Sequence, residues 1–405
     1  MFPPAARFQP YGTTIFAEMT ALANRCGAVN LAQGFPDFDG PEFIKAAAAR
    51  AMQQGHNQYA RMQGVPELNA AIVARWKHAT GQAIDGESQV TVTSGCTEAL
   101  AATFLGLLNP GDEVILFEPW YDCYHVGATM AGARVRGVTL HASEPGRPRP
   151  GFSFNPGELA NAFTPKTRAI VINTPHNPTG KVFSRDELAL IAGLCQEHNT
   201  VAITDEVYEH LTFDPAQPHI PIATLPGMAD CTITLSSLGK SFSLTGWKIG
   251  WAIASAELTR AVRAAHQFLV FCSSTPLQHG AAAALTPGGE GEAHIASLRA
   301  QLREARDYLS GALTELGFVV YPPAGTYFIM ADHTRLSPRL GIDPEQPGAD
   351  VAFCRALTEK IGVAAIPPSP FYEDPARGRR LARFAFCKRS ATLEEAVRRL
   401  QTLRA

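Results

Sequence analysis

From about residue 42 to residue 260, short apolar runs alternate with stretches whose apolar residues recur every three or four positions. The runs at 90–93, 114–117, 170–173, 201–204 and 232–235 are short and largely apolar, and predict strands. Between them, 97–108 and 185–198 carry helical periodicity. Apolar strands that alternate with helices imply an α/β fold: a mostly parallel sheet flanked by helices on both faces. Before this region, Ile15, Phe16, Met19, Leu22 and Ala23 share one helical face. After it, T-P-G-G-E-G-E at 286–292 predicts a hinge, followed by a long charged amphipathic helix over about 293–316. The segments G-F-V-V-Y, T-Y-F-I-M, G-V-A-A-I and L-A-R-F-A-F then predict strands, and T-L-E-E-A opens a closing helix with its N-terminus at Thr392. This gives an N-terminal arm (1–40), a large domain (41–292) and a smaller α+β domain (293–405). The Pro/Arg/Gly stretch at 144–151 predicts a loop.

Composition narrows the partners. The chain has 405 residues, 46% hydrophobic and 18% charged, which suits a packed enzyme and not a disordered or fibrous protein. A net charge of -2 supplies no electrostatic reason for binding nucleic acid or an anionic membrane. The eight cysteines contain no C-x-x-C pair, so neither a metal site nor a disulfide framework is expected, and a reducing cytoplasm is. The first ten residues lack the basic and apolar regions of a signal peptide.

Candidate chemistry gathers at the strand ends. Each apolar run is followed by a polar or glycine-rich motif: S-G-C-T-E, E-P-W-Y-D-C-Y, N-T-P-H-N-P-T-G-K, D-E-V-Y-E and S-S-L-G-K. An open parallel sheet binds its ligands beyond the carboxyl ends of its strands, so these motifs predict one crevice. Lys240 sits in a run without another charge between Asp230 and Lys248. Desolvation there would loosen its proton and make its amine nucleophilic, the setting of a Schiff-base lysine. Read alone, it would more often be a solvated loop lysine. Gly95, Cys96 and Thr97 open a helix after a strand and suit a phosphate, although a plain helix cap has the same pattern. Asp205 ends an apolar strand and needs a cation or N–H donor; a protonated pyridine nitrogen would serve, as would a buried salt bridge. Tyr121 would lay its ring on a planar cofactor or fill the core. Asn177 and Tyr208 are hydrogen-bonding groups at neighbouring strand ends. Arg383, in an apolar strand opposite Phe384 and Phe386, needs an anion, whether a substrate carboxylate or an internal acid.

Three other motifs fail. Ser237-Leu-Gly-Lys240 has the S-x-x-K pattern without the S-D-N or K-T-G of β-lactamases. T-P-H-N-P-T-G-K-V carries Pro175 and Val182 where a P-loop needs Gly and Ser/Thr, and no G-x-G-x-x-G follows a strand.

Taken together, N-L-A-Q-G-F-P-D-F, N-T-P-H-N-P-T-G-K, D-E-V-Y-E-H, S-S-L-G-K-S-F-S-L-T-G-W-K-I-G-W and R-F-A-F-C-K resemble the class I aminotransferases of pyridoxal-phosphate fold type I, from about Pro10 to the C-terminus. The methionine aminotransferase and kynurenine aminotransferase/cysteine-conjugate β-lyase group is the nearest in look. The resemblance implies pyridoxal 5'-phosphate carried on Lys240, its ring nitrogen on Asp205, and its phenolic oxygen on Asn177 and Tyr208. Tyr121 would stack on the ring. Gly95, Cys96, Thr97, Ser237, Lys248 and a neighbouring subunit's Tyr59 would hold the phosphate. Gly34, Asn177 and Arg383 would take the substrate carboxylate. Lys248 stands where much of the wider family has Arg, and Cys96 where some kynurenine aminotransferases have an aromatic residue. A homodimer is implied, transferring the amino group of a bulky apolar, sulfur-containing or aromatic amino acid to a 2-oxo acid. The alternative is a β-lyase on cysteine conjugates. The apolar segments I-F-A-E-M near Phe16 and Q-F-L-V-F near Phe268 and Phe271 are the expected side-chain pocket.

Overall fold

The computed structural model describes residues 2–144 and 150–404; most of the loop expected at 144–151 lies outside them. Seven strands form one sheet: β1 (Val90–Thr93), β2 (Glu113–Glu118), β3 (Arg134–Thr139), β4 (Thr167–Asn173), β5 (Val201–Asp205), β6 (Thr232–Ser237) and β7 (Gly250–Ala254). Their order is β1-β7-β6-β5-β4-β2-β3, and every pairing is parallel except those of β7. The sequence pattern predicts five of these strands. It misses β3, whose first half is polar and half-exposed, and β7, whose five residues lack a flanking turn signal.

Side-chain alternation divides the sheet between two cores. Ile115, Phe117, Ile170 and Ile172 join one cluster with Leu188 and Ile191 of the helix Arg185–Glu197. Val114, Leu116, Ala169 and Val171 join the other with Leu100 and Phe104 of Gly95–Leu107 and Val262 of Ala256–Leu269. Period-2 strands buried on both faces are what the apolar runs require. Each fully covered Val, Ile or Phe contributes about 1.5–3 kcal/mol.

A third core joins the two ends of the chain. Met19 and Leu22 of the helix Ile15–Cys26 pack in one cluster with Leu298, Leu302, Leu309 and Leu313 of Glu290–Leu316. They meet Leu393 and Leu400 of Ser390–Leu400 there. A three-stranded antiparallel sheet, β8 (Val319–Tyr321), β9 (Phe328–Asp332) and β10 (Leu381–Ala385), runs through this region. Met330 lies opposite Arg383 in its register.

Two boundaries differ from the sequence expectation. The long helix begins at Glu290, inside the expected hinge, where Gly291 packs so closely that a Cβ there would lie 2.0 Å from the Ala284 carbonyl oxygen. The closing helix begins at Ser390 rather than Thr392. Its cap comes from across the chain: Asp37 accepts the Arg389 N–H at 2.7 Å and the Thr392 hydroxyl at 2.6 Å. Among the described residues, no helix is long and apolar enough to cross a membrane, and no cluster of three or more His, Cys, Asp or Glu is placed to hold a metal.

Candidate active site

Because β1, β2, β4, β5 and β6 run parallel, their carboxyl ends meet at one edge of the sheet. β7 runs the other way, so its first residue, Gly250, pairs with both Thr93 and Ser237 at that same edge. A cavity of about 420 Å³ opens there. Twelve of the thirteen residues singled out from the sequence line it: Gly34, Gly95, Cys96, Thr97, Tyr121, Asn177, Asp205, Tyr208, Ser237, Lys240, Lys248 and Arg383. The thirteenth, Tyr59, is 86% exposed and packs edge-on against Phe271 at 5.7 Å.

Lys240 stands in the short helix Leu238–Ser241 directly after β6. Burial lowers its pKa from the ordinary lysine value; Cys387 and Asp205 pull the other way. Its Nζ lies 5.7 Å from the Tyr208 ring centroid and 5.9 Å from that of Tyr327, and it forms no hydrogen bond or ion pair among the described residues. A buried amine without an acid partner is a poorer ammonium and a better nucleophile than an exposed one.

Asp205 closes β5 in a buried position, and desolvation pushes its pKa up. Donors oppose that push: the Tyr124 hydroxyl at 2.7 Å, the Val207 N–H at 3.3 Å and the Cys96 thiol. No cation pairs with it, so the salt-bridge alternative is absent among the described residues. Asn173, the last residue of β4, donates to the Asp205 carbonyl at 2.9 Å and accepts the Asn177 N–H at 2.7 Å. Tyr124 and Asn173 are site residues the sequence reading missed. Tyr124 lies three positions past Tyr121, and Asn173 is the polar terminus of an apolar run; both patterns were legible.

Arg383 is 2% exposed, and burial pulls its pKa down to about 10. Its guanidinium donates to Asn177 Oδ1 at 3.0 Å and the Ala32 carbonyl at 2.9 Å, while its Nε is buried without a partner. The Phe328 and Phe16 rings lie 4.1 and 5.1 Å from it. No Asp or Glu pairs with it among the described residues, so the internal-acid alternative also fails. An arginine fork held by neutral acceptors and aromatic faces is arranged for an anion from outside the chain.

The Gly95–Leu107 helix starts at the cavity with no side-chain cap from Ser94. Gly250 lets β7 press against it, since a Cβ there would lie 2.6 Å from the Gly95 carbonyl carbon. Lys248, in the left-handed region at φ 54°, places its Nζ 3.4 Å from Thr97 Oγ1. Free N–H groups at a helix start beside an ammonium form an anion cradle. The opposite wall is aromatic: Phe16 stacks on Phe371 at 5.5 Å and tilts against Tyr121 at 6.5 Å. Asp122 also lines the cavity, its carboxyl pushed up by burial. Phe16 thus takes its expected place. Phe268 and Phe271 do not line this chain's cavity; they lie at and just past the end of the Ala256–Leu269 helix, 84% and 43% accessible, beside Tyr59.

The sequence pattern described as aminotransferase class I and II matches residues 27–400. The chain is 50% identical to a Mycobacterium tuberculosis protein named "Probable N-succinyldiaminopimelate aminotransferase", over 98% of each chain. It is 38% identical to the methionine aminotransferase of Escherichia coli, over 99% of this chain and 98% of that one. The solved structure of N-succinyldiaminopimelate aminotransferase from Mycobacterium tuberculosis superposes with a TM-score of 0.91 at 49% identity. It covers 99% of this chain and 100% of its own.

Proposed function

The chain belongs to the class I and II aminotransferase family, and we propose that its amino donor is a bulky apolar, sulfur-containing or aromatic L-amino acid. The enzyme is an aminotransferase whose cofactor is pyridoxal 5'-phosphate. The observation that carries the donor reading is the inventory of charges in the cavity. Its cations are Lys240, Lys248 and Arg383, and its acids Asp122 and Asp205.

The residues suit the cofactor. Lys240 has an unpartnered amine, Asp205 a buried carboxylate held by neutral donors, and the Gly95–Thr97 helix start a cradle closed by Lys248. Lys240 would hold the cofactor covalently, Asp205 its ring nitrogen, and Asn177 and Tyr208 its phenolic oxygen. Tyr121 would cover the ring, and Gly95, Cys96, Thr97, Ser237 and Lys248 would bind the phosphate. When bound, this cofactor supplies the electron sink that makes the donor Cα–H acidic. Arg383, oriented by Asn177 and Ala32, would fix the donor carboxylate. Lys240 Nζ, released by the incoming amine, would take the proton from Cα and return it on the other side of the transfer. Tyr208 and Tyr327 would keep water from that amine.

With Arg383 committed to the α-carboxylate, a side-chain carboxylate would find Phe16 and Asp122 rather than a cation. A methionine or aromatic side chain against the same wall would gain about 1.5–3 kcal/mol. Single half-reactions followed by cofactor absorbance test this. Methionine, phenylalanine, tyrosine and kynurenine should exceed aspartate by well over about tenfold in catalytic efficiency. Arg383→Ala should weaken every donor alike. Aspartate matching methionine, or Arg383→Ala affecting one donor selectively, would defeat the reading. N-succinyldiaminopimelate belongs in the panel, given the half-identical relative of that name. Its distal carboxylates would need cations from outside this cavity. Pyruvate, ammonia and a thiol as products would instead favour the cysteine-conjugate β-lyase.

Tyr59 would complete a phosphate site on a second copy of the chain, forming a cytoplasmic homodimer. Its exposure beside Phe268, Leu269, Val270 and Phe271 supports a covering partner. An active monomer in analytical sedimentation would contradict it.

A further inference from the structure

Below the cradle lies a buried side-chain pair that the transfer chemistry does not use. Glu98, in the first turn of Gly95–Leu107, reaches back so that its Oε2 accepts the Ser94 N–H at 3.0 Å. The same carboxylate faces His266, whose Nδ1 lies 3.0 Å from Oε1 and 3.2 Å from Oε2. The other ring nitrogen, Nε2, lies 3.0 Å from the Met62 carbonyl oxygen. His266 is fully buried. A carbonyl oxygen can only accept, so Nε2 carries a hydrogen. A carboxylate already taking an N–H from Ser94 presents an acceptor to Nδ1 as well. The His266 ring is therefore held on both sides, by the Glu98 carboxyl at Nδ1 and by the Met62 carbonyl at Nε2.

The placement matters because an acid in the first turn of a helix occupies the positive end that a phosphate would use. Uncompensated, Glu98 would repel a bound phosphate. The bond to His266 offsets that charge and leaves the carboxylate free to orient the Ser94 N–H. The helix bearing His266 is itself fastened to β1: Arg263 donates to the Val90 carbonyl at 2.6 Å, the Glu87 carbonyl at 2.8 Å and Thr91 Oγ1 at 3.1 Å. The helix start and the Met62 segment are thus linked through the Glu98–His266 pair, and Arg263 ties the same helix to the strand.

We propose that Glu98 and His266 are positioning residues for the phosphate cradle, setting its geometry while keeping its charge favourable to an anion. This rests on the reading that Gly95–Thr97 hold the cofactor phosphate. The full chain, freed of cofactor, is titrated with pyridoxal 5'-phosphate and separately with pyridoxal, which lacks the phosphate. The ratio of the two dissociation constants isolates the cradle. Glu98→Gln keeps an acceptor for Ser94 but loses the pairing. His266→Gln removes the ring bonded to the carboxylate and leaves Glu98 in place. Both should shrink the ratio about tenfold or more, His266→Gln further, by weakening the phosphorylated form while pyridoxal binds as before. A ratio unchanged in both variants, or pyridoxal weakening in step with its phosphate, would overturn the proposal. A ratio near one in the unaltered enzyme would instead defeat the cradle reading beneath it. Should a variant fail to fold, Glu98→Asp keeps the charge, withdraws it by one methylene and is read by the same ratio.

Discussion

Lys240→Ala should lower turnover by about 10⁴-fold, the upper range for removal of a positioned acid–base group, while the folded chain persists. The argument rests on what surrounds the amine. Desolvation lowers its pKa first of all, and the nearby Lys248 and Arg383 charges act in the same direction. No acid binds its proton among the described residues, so the amine gives up its proton more readily than an exposed lysine. An alanine there leaves the Tyr208 and Tyr327 rings in place and removes the one nucleophile among them. Neither Asp205, which carries donors on both oxygens, nor Lys248, turned toward Thr97, is placed to substitute. Single-turnover kinetics with methionine and a thermal melt would check both halves. A variant within tenfold of the parent rate would remove Lys240 from the chemistry.

Asp205→Asn should cost about 10²–10³-fold, the range for loss of one preorganised electrostatic contact in a water-excluded site. The change keeps shape and removes charge. In the native chain, burial raises the carboxyl pKa, while the Tyr124 hydroxyl, the Val207 N–H and the Cys96 thiol lower it. These three neutral donors stabilise the charged form without neutralising it, which leaves the charge available to a protonated ring nitrogen. An asparagine amide would meet the Tyr124 hydroxyl at the same distance but could no longer sustain that proton. Turnover and the cofactor spectrum are the readouts. Near-normal values of both would show that Asp205 is structural.

Much of the site was legible because it is built from strand ends, and strand ends are local. Apolar runs closed by Asn173, Asp205 and Ser237 announce both the sheet and the crevice. The missing information is of another kind. Strand β7 is antiparallel, and nothing within its five residues says that it inserts between β1 and β6, yet that insertion brings Lys248 to the cradle. Glu98 and His266 are 168 positions apart in the chain, and only the docked Ala256–Leu269 helix makes them a pair. Asp37 caps the closing helix from more than 350 residues away, so local sequence placed that boundary two residues late. Phe268 and Phe271 look like pocket residues by composition, yet in the single chain they lie on a surface beside Tyr59 and not in its cavity. Arg383 reads as anion-seeking from its strand alone. That its anion comes from outside the chain follows only when no acid, Asp122 of the same cavity included, is found paired with it among the described residues.

The central claim is that Lys240, at the edge shared by these strand ends, is the residue that carries the cofactor. Borohydride reduction of the holoenzyme, followed by proteolysis and peptide mapping, tests it directly. The account predicts the pyridoxyl group on the peptide containing Ser237–Lys240 and on Lys240 alone. A label on Lys181 or Lys248 would contradict it.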